Sequence, residues 1–219
     1  MDNKDNRLEI RKKVVEIGLK ILNSGLVVGT WGNISSRVPG EDLVAITPSG
    51  MNYDTLEPTD VVLVDLDGQI ADGNRKPSIE VPMHLAVYRA RQDVKAIIHT
   101  HSPYATAMAA AHKPIPGAVE DLVQIVGGGV RVCEYALPGT QELGINTVKA
   151  LDGRNAVLLA NHGMLGAGRD LDEALKTCHV VEKAAQVTLF AKLVGGVVEL
   201  SKEDIDSMRN YFLNDYGQK

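Results

Sequence analysis

The sequence predicts an α/β protein in which helices cover a mixed, largely antiparallel sheet. Three observations lead there. Runs with helical spacing alternate with short β-branched runs along the 219 residues. The first strand-like runs follow one another too closely for parallel crossovers, which need a dozen or more residues. Asp67-Gly68 then reads as a tight hairpin turn between two of them.

The elements follow in order. Ile10, Val14, Ile17 and Ile21 recur at i, i+4, i+7 and i+11, the stripe of an amphipathic helix that Gly25 would end. Strands are expected at 33–38, 43–47 and 61–65, with Gln69-Ile70-Ala71 returning from the Asp67-Gly68 turn. A helix should begin just after Pro77-Ser78 and run to about Arg91, and a strand at 95–99 follows. An alanine-rich helix opens near Ser102-Pro103, and Glu120-Asp121 begins another. Further strands are expected at 130–133 and 156–160, with a helix at 141–151 between them. Long helical stretches at 172–193 and 202–212 complete the chain. Gly127-Gly128-Gly129 is best explained as a helix-to-strand turn.

Bulk composition narrows the function. A chain of this length with 44% hydrophobic residues is expected to form one domain over 1–219, without repeats or linkers. A net charge of −5 gives no basis for nucleic acid or an anionic membrane as partner. Cys133 and Cys178, without metal-like spacing, read as buried free thiols in a reducing compartment. The charged start Met1-Asp2-Asn3-Lys4-Asp5 lacks a signal peptide's apolar stretch, so a cytoplasmic location is expected.

Chemistry concentrates at three histidines. His99 and His101 stand at i and i+2 at the end of an apolar run, so a strand would point both to one face. His162 follows a second apolar run, Leu158-Leu159-Ala160-Asn161, and can close a site from a neighbouring strand end. Three neutral imidazoles that leave a position free form a common catalytic zinc shell, in which Co²⁺ or Mn²⁺ can substitute.

Glu80 lies in the first turn of the helix after Pro77-Ser78. It is either a general base beside the metal or a carboxylate placed there by the helix dipole. His84, one turn on, reads as a packed or supporting histidine in preference to a fourth imidazole ligand. Three segments offer donors for a phosphate: Thr30-Trp31-Gly32-Asn33-Ile34-Ser35, Thr47-Pro48-Ser49-Gly50 and Pro77-Ser78-Ile79. Together with a metal site they point to a small phosphorylated or polyhydroxylated substrate.

Gly32-Asn33-Ile34-Ser35, Thr47-Pro48-Ser49-Gly50, Pro77-Ser78-Ile79-Glu80, His99-Thr100-His101-Ser102 and Asn161-His162-Gly163 stand in the order and spacing of a known family. Through them the chain, over about residues 5–217, resembles the class II aldolase/adducin family. The resemblance implies a three-layer α/β/α fold, a four-fold homotetramer and active sites between subunits. It makes His99, His101 and His162 zinc ligands, and Glu80 the catalytic carboxylate that can also touch zinc when substrate is absent. It places the substrate phosphate on Gly32, Asn33, Ser49, Gly50, Ser78 and Ile79, and matches Tyr216 to a mobile C-terminal tyrosine.

The implied activity is zinc-dependent cleavage of a ketose 1-phosphate, such as L-fuculose 1-phosphate, to dihydroxyacetone phosphate and a small aldehyde. Epimerases, dehydratases and decarboxylases of the same superfamily, and the metal-free adducin-like scaffold, are the alternatives. Two positions depart from the family pattern. Ile79 stands where its aldolases carry a second serine, which removes a hydroxyl donor but keeps the backbone N–H. Glu120 stands where they carry a proton-transferring tyrosine, and a carboxylate can serve there if its pKa is raised.

Overall fold

The computed structural model describes residues 3–217. In chain order the elements are α1 (Asn3–Asn23), β1 (Asn33–Arg37), β2 (Leu43–Ile46), β3 (Val62–Asp65), β4 (Ile70–Asp72), α2 (Val81–Ala90), β5 (Ala96–Thr100) and α3 (Pro103–Ala110). Then come α4 (Glu120–Val126), β6 (Arg131–Cys133), α5 (Gln141–Leu151), β7 (Ala156–Leu159), β8 (Gly163–Gly168), α6 (Leu171–Leu193) and α7 (Lys202–Asn214).

The strands form one eight-stranded sheet in the order β4-β3-β2-β1-β5-β8-β7-β6. Every pairing is antiparallel except β6 with β7. The close spacing of the first strands thus produces the meander it predicts. Gly68, at φ +85°, makes the turn from β3 to β4, and its N–H donates to the Asp65 carbonyl.

Alternation along each central strand builds two cores. Ile34, Ile98, Leu158 and Met164 pack with Val14, Ile17 and Ile21 of α1 and with Ala174, Cys178 and Val181 of α6. The intervening residues Ile97, Val157 and Leu165 pack with Met83, Leu85 and Val87 of α2 and Leu143 of α5. The sheet therefore lies between two helical layers, as three-layer α/β/α architecture requires. Gly127 ends α4 in the left-handed conformation (φ +90°), confirming the helix-to-strand reading of the glycine run. Both cysteines are buried and free. Among the described residues, no helix is long and apolar enough to cross a membrane.

The one strand that the sequence pattern does not reveal is β8. Its residues, Gly163-Met164-Leu165-Gly166-Ala167-Gly168, carry three glycines where strand propensity is low. Close packing explains them. A Cβ on Gly166 would meet Cys178 Sγ at 2.7 Å, and one on Gly168 would meet the Ala174 nitrogen at 2.5 Å, so the glycines let α6 lie directly on the sheet. Boundaries elsewhere move by a residue or two. One of these matters: α2 begins at Val81, so Glu80 stands at the N-cap position instead of in the first turn, and its side chain makes no capping hydrogen bond.

The α6–β8 contact yields a stability test. Gly166→Ala should cost about 1–3 kcal/mol, the usual range for overpacking, and lower Tm by several degrees. Combining it with Cys178→Ala should recover much of that loss, because the colliding sulfur is removed. Denaturant unfolding of the two single variants and the double variant checks this. Strict additivity would show that the two residues are not in contact.

Candidate active site

The site forms at the end of β5. Ile97 faces α2, so His99, two residues on, faces α2 as well. His101 follows just beyond the strand. His162 occupies the three-residue turn from β7 to β8, in which Leu159 pairs with Gly163. Asn161 holds that turn in a left-handed conformation at φ +56°. Its Oδ1 accepts a hydrogen bond from His112 Nε2 at 2.5 Å. This support for the His162 turn carries no periodic signal in the sequence.

The three imidazoles converge, with nitrogens of all three within 4.8 Å of one another. His99 and His101 Nε2 are 2.9 Å apart. His99 Nδ1 lies 2.9 Å from the Met164 carbonyl, which can only accept, so Nδ1 carries the proton and Nε2 presents its lone pair to the cluster. Burial lowers the pKa of His99, His101 and His162 to about 4 each, and for the latter two the neighbouring His99 adds to it. All three are therefore neutral at physiological pH, the form that binds a metal.

Glu80 faces this cluster from the start of α2. Its Oε2 is 3.3 Å from His99 Nε2 and its Oε1 is 3.6 Å from His162 Nε2. Oε2 also accepts a 2.7 Å hydrogen bond from Asn33 Nδ2. Oε1 is buried and has no hydrogen-bond partner among the described residues. A buried, unpartnered carboxylate oxygen beside three clustered imidazole nitrogens fits a divalent cation, with the three nitrogens as its donor set and Glu80 at its edge.

A cleft of about 220 Å³ opens beside the cluster. It is lined by Gly32, Asn33, Ser49, Gly50, Ser78 and Ile79, all expected from sequence, together with Glu80, His101 and His162. Gly32 has to be glycine: at φ +82° a Cβ would sit 2.6 Å from the His99 carbonyl oxygen. The second and third loops are tied together, since Ser49 N–H donates to the Lys76 carbonyl and Ser78 N–H to the Thr47 carbonyl. Those two amides are therefore occupied. The amides of Gly32, Gly50 and Ile79 have no protein acceptor among the described residues. Trp31, largely exposed, inclines over His101 at 5.8 Å, and Pro138, which no sequence motif singles out, completes the wall.

The remaining candidate residues fall elsewhere. His84 is not in the imidazole cluster: its Nδ1 is bonded to Ser35 Oγ and its Nε2 to Asn33 Oδ1, which makes it the supporting histidine. Glu120 is exposed at the start of α4 and does not line the cleft of its own chain. Tyr216 also does not line it and stacks on Phe212 after α7. Leu213 of that helix shares a depression with Asp93, Val94 and Gly168, at the opposite end of β5 from His99. A larger groove of about 640 Å³, beside Lys13 and Arg169, also opens away from the histidines. Lys13 and Arg169 are there paired with Asp172 and Glu173.

Residues 12–189 match the family described as Class II Aldolase and Adducin N-terminal domain. A 5-deoxy-D-ribulose 1-phosphate aldolase of Bacillus thuringiensis is 39% identical over 209 residues, 95% of this chain and 97% of that protein. A 5-methylthioribulose-1-phosphate/5-deoxyribulose-1-phosphate aldolase of Rhodospirillum rubrum is 40% identical over 182 residues, 83% of this chain and 80% of that protein. Among solved structures, an L-fuculose 1-phosphate aldolase superposes with a TM-score of 0.91 at 38% identity, covering 94% of this chain and 96% of that one. With its histidine cluster and its matching architecture, the chain belongs to the class II aldolase family.

Proposed function

We propose that the protein is a divalent-metal aldolase that reversibly cleaves a ketose 1-phosphate to dihydroxyacetone phosphate and a short aldehyde. One observation carries the reading. The three imidazoles and Glu80 cluster beside a cleft lined by Gly32, Gly50 and Ile79, whose amides have no protein acceptor among the described residues. The named substrates of the relatives share the ketose 1-phosphate head and differ in the aldehyde half. L-Fuculose 1-phosphate and 5-deoxyribulose 1-phosphate are accordingly the first substrates to test. Trp31, Ile79 and Pro138 give the cleft an apolar wall, which suits an aldehyde with an apolar end.

His99, His101 and His162 would hold the metal, with Glu80 as a further ligand before substrate enters. Zinc is the proposed ion, with Co²⁺ or Mn²⁺ as substitutes. When bound, such a cation supplies Lewis acidity at the substrate carbonyl, where negative charge develops as the carbon–carbon bond breaks. The amides of Gly32, Gly50 and Ile79 and the hydroxyls of Ser49 and Ser78 orient the phosphate. In the condensation direction Glu80 removes a proton from the hydroxymethyl carbon of dihydroxyacetone phosphate, and the released electron pair passes into the carbonyl group. That carbon then bonds to the aldehyde carbon, whose oxygen takes up a proton. Cleavage is the reverse, and protonated Glu80 returns its proton to the carbon.

The second proton, on the aldehyde oxygen, we assign to Glu120 or Tyr216 of a neighbouring copy in a four-fold tetramer. Neither Glu120 nor Tyr216 lines the cleft of its own chain, which fits a site completed between subunits. Two buried free thiols fit a reducing, cytoplasmic setting.

Metal analysis is the first test. Protein purified without chelator should carry about one divalent ion per chain, and replacing the three histidines by alanine should abolish binding. Chelation should abolish turnover and zinc should restore it. Metal retained by the triple variant would refute the assignment.

Acid should destabilise the stripped protein in a defined window. The site histidines have folded-state pKa values near 4, below the unfolded value of about 6.5. The unfolded chain therefore binds more protons below pH 6.5, and stability falls as pH drops from about 6.5 toward 4. Denaturant midpoints across that range check the sign.

Glu80→Gln should keep the fold and most of the metal yet lose about 10²–10⁴-fold in turnover, because the amide cannot take the proton. Solvent deuterium entering the hydroxymethyl carbon of dihydroxyacetone phosphate reads the step directly. Exchange at the wild-type rate would remove Glu80 from the proton transfer.

A further inference from the structure

A directed line of hydrogen bonds runs through the apolar core between β1 and α2 and ends on Glu80. Its members are Tyr88, Ser35, His84, Asn33 and Glu80, and all five are buried. Two periodicities bring them together. Asn33 and Ser35 stand two apart on β1, on the face that meets α2, while Glu80 just before α2 and His84 and Tyr88 within it stand four apart.

The polarity of the line follows from the chemistry of its ends. The Glu80 carboxylate accepts from Asn33 Nδ2 at 2.7 Å, which orients that amide. Asn33 Oδ1 must then accept from His84, so His84 Nε2 carries the proton across the 2.5 Å contact. His84 Nδ1 is thereby left with a lone pair, and Ser35 Oγ donates to it at 2.6 Å. Ser35 Oγ has then used its only proton and accepts from Tyr88 OH at 2.8 Å. Every donor and acceptor is assigned without choice. Burial agrees at both titratable members: it lowers the His84 pKa to about 3, with the neighbouring His99 adding to it. It raises that of Tyr88, so the imidazole stays neutral and the phenol keeps its proton.

The line separates the two carboxylate oxygens. Oε2 is held by Asn33, while Oε1 has no protein partner among the described residues. We infer that His84, Ser35 and Tyr88 are positioning residues that act through Asn33 to lock the Glu80 carboxylate, so that Oε1 is the oxygen that takes and returns the substrate proton. This rests on the acid–base role proposed for Glu80. It also gives Asn33 a second task besides lining the phosphate cleft, since both ends of its side-chain amide are engaged by protein groups.

The test compares three changes in the full-length, metal-loaded protein. His84→Leu removes both bonds and should lower kcat by about 10–100-fold, with KM and metal content within about twofold of wild type. His84→Gln, whose amide can donate to Asn33 and accept from Ser35, should restore most of the loss. Ser35→Ala releases the tautomer and should lower kcat by about 3–10-fold at constant KM. Nitrogen-15 spectra of the labelled imidazole should show His84 protonated on Nε2 alone in wild type and mixed in Ser35→Ala.

Wild-type kcat in His84→Leu, while Glu80→Gln is inactive, would overturn the positioning role and leave the role of Glu80 standing. Wild-type turnover in Glu80→Gln would overturn both. If His84→Leu fails to fold, Ser35→Ala decides: unchanged kcat together with a pure Nε2–H signal would refute the inference.

Discussion

The antiparallel register that sets Asn33 opposite His99 is the constraint on which the site depends. From that pairing, period-two alternation turns Asn33, Ser35, Ile97 and His99 toward α2, and Ile34 and Ile98 toward α1 and α6. A slip of one residue would exchange the two sets, sending the site residues into one core and apolar side chains into the cleft. The apolar residues on the far face thus hold the cleft residues in place. Gly32 contributes by letting the chain enter β1 directly against the His99 carbonyl.

Fixed pairs recur throughout the cleft. The Met164 carbonyl sets the tautomer of His99, and the Asn161–His112 contact holds the turn that carries His162. The ladder between Thr47-Pro48-Ser49 and Lys76-Pro77-Ser78 makes two of the proposed phosphate-binding loops one unit, and Ser78 Oγ accepts from the Glu80 amide. Phosphate and reacting carbon would therefore be measured from the same piece of backbone. Orientation of this kind is where much of the rate enhancement of an enzyme resides.

Much of this is legible in the amino-acid order alone. The three histidines and Glu80 are visible because apolar runs and a helix start predict where their side chains point. Asp67-Gly68 and Gly127 are readable because turn chemistry is local. What stays hidden depends on contacts between distant segments. The glycines of β8 look like breakers until α6 is laid on them. Ser35 and Tyr88 look like ordinary core-edge residues until β1 and α2 are stacked. Glu80 moves from the first turn to the N-cap position because the turn at Ile79-Glu80, which follows the Pro48–Pro77 bridge, precedes the helix.

The buried polar line between β1 and α2 also bears on how this chain can change over generations. Five hydrogen-bonding side chains fill a volume that leucine, valine and phenylalanine could occupy, and such exchanges of whole buried networks are often neutral or stabilising. Selection for folding alone would erode these positions, and under the positioning role inferred above it is selection for turnover that retains them. Laboratory evolution scored by heat resistance would therefore drift toward a sturdier and idle protein, with Ser35, His84 and Tyr88 among the first positions replaced.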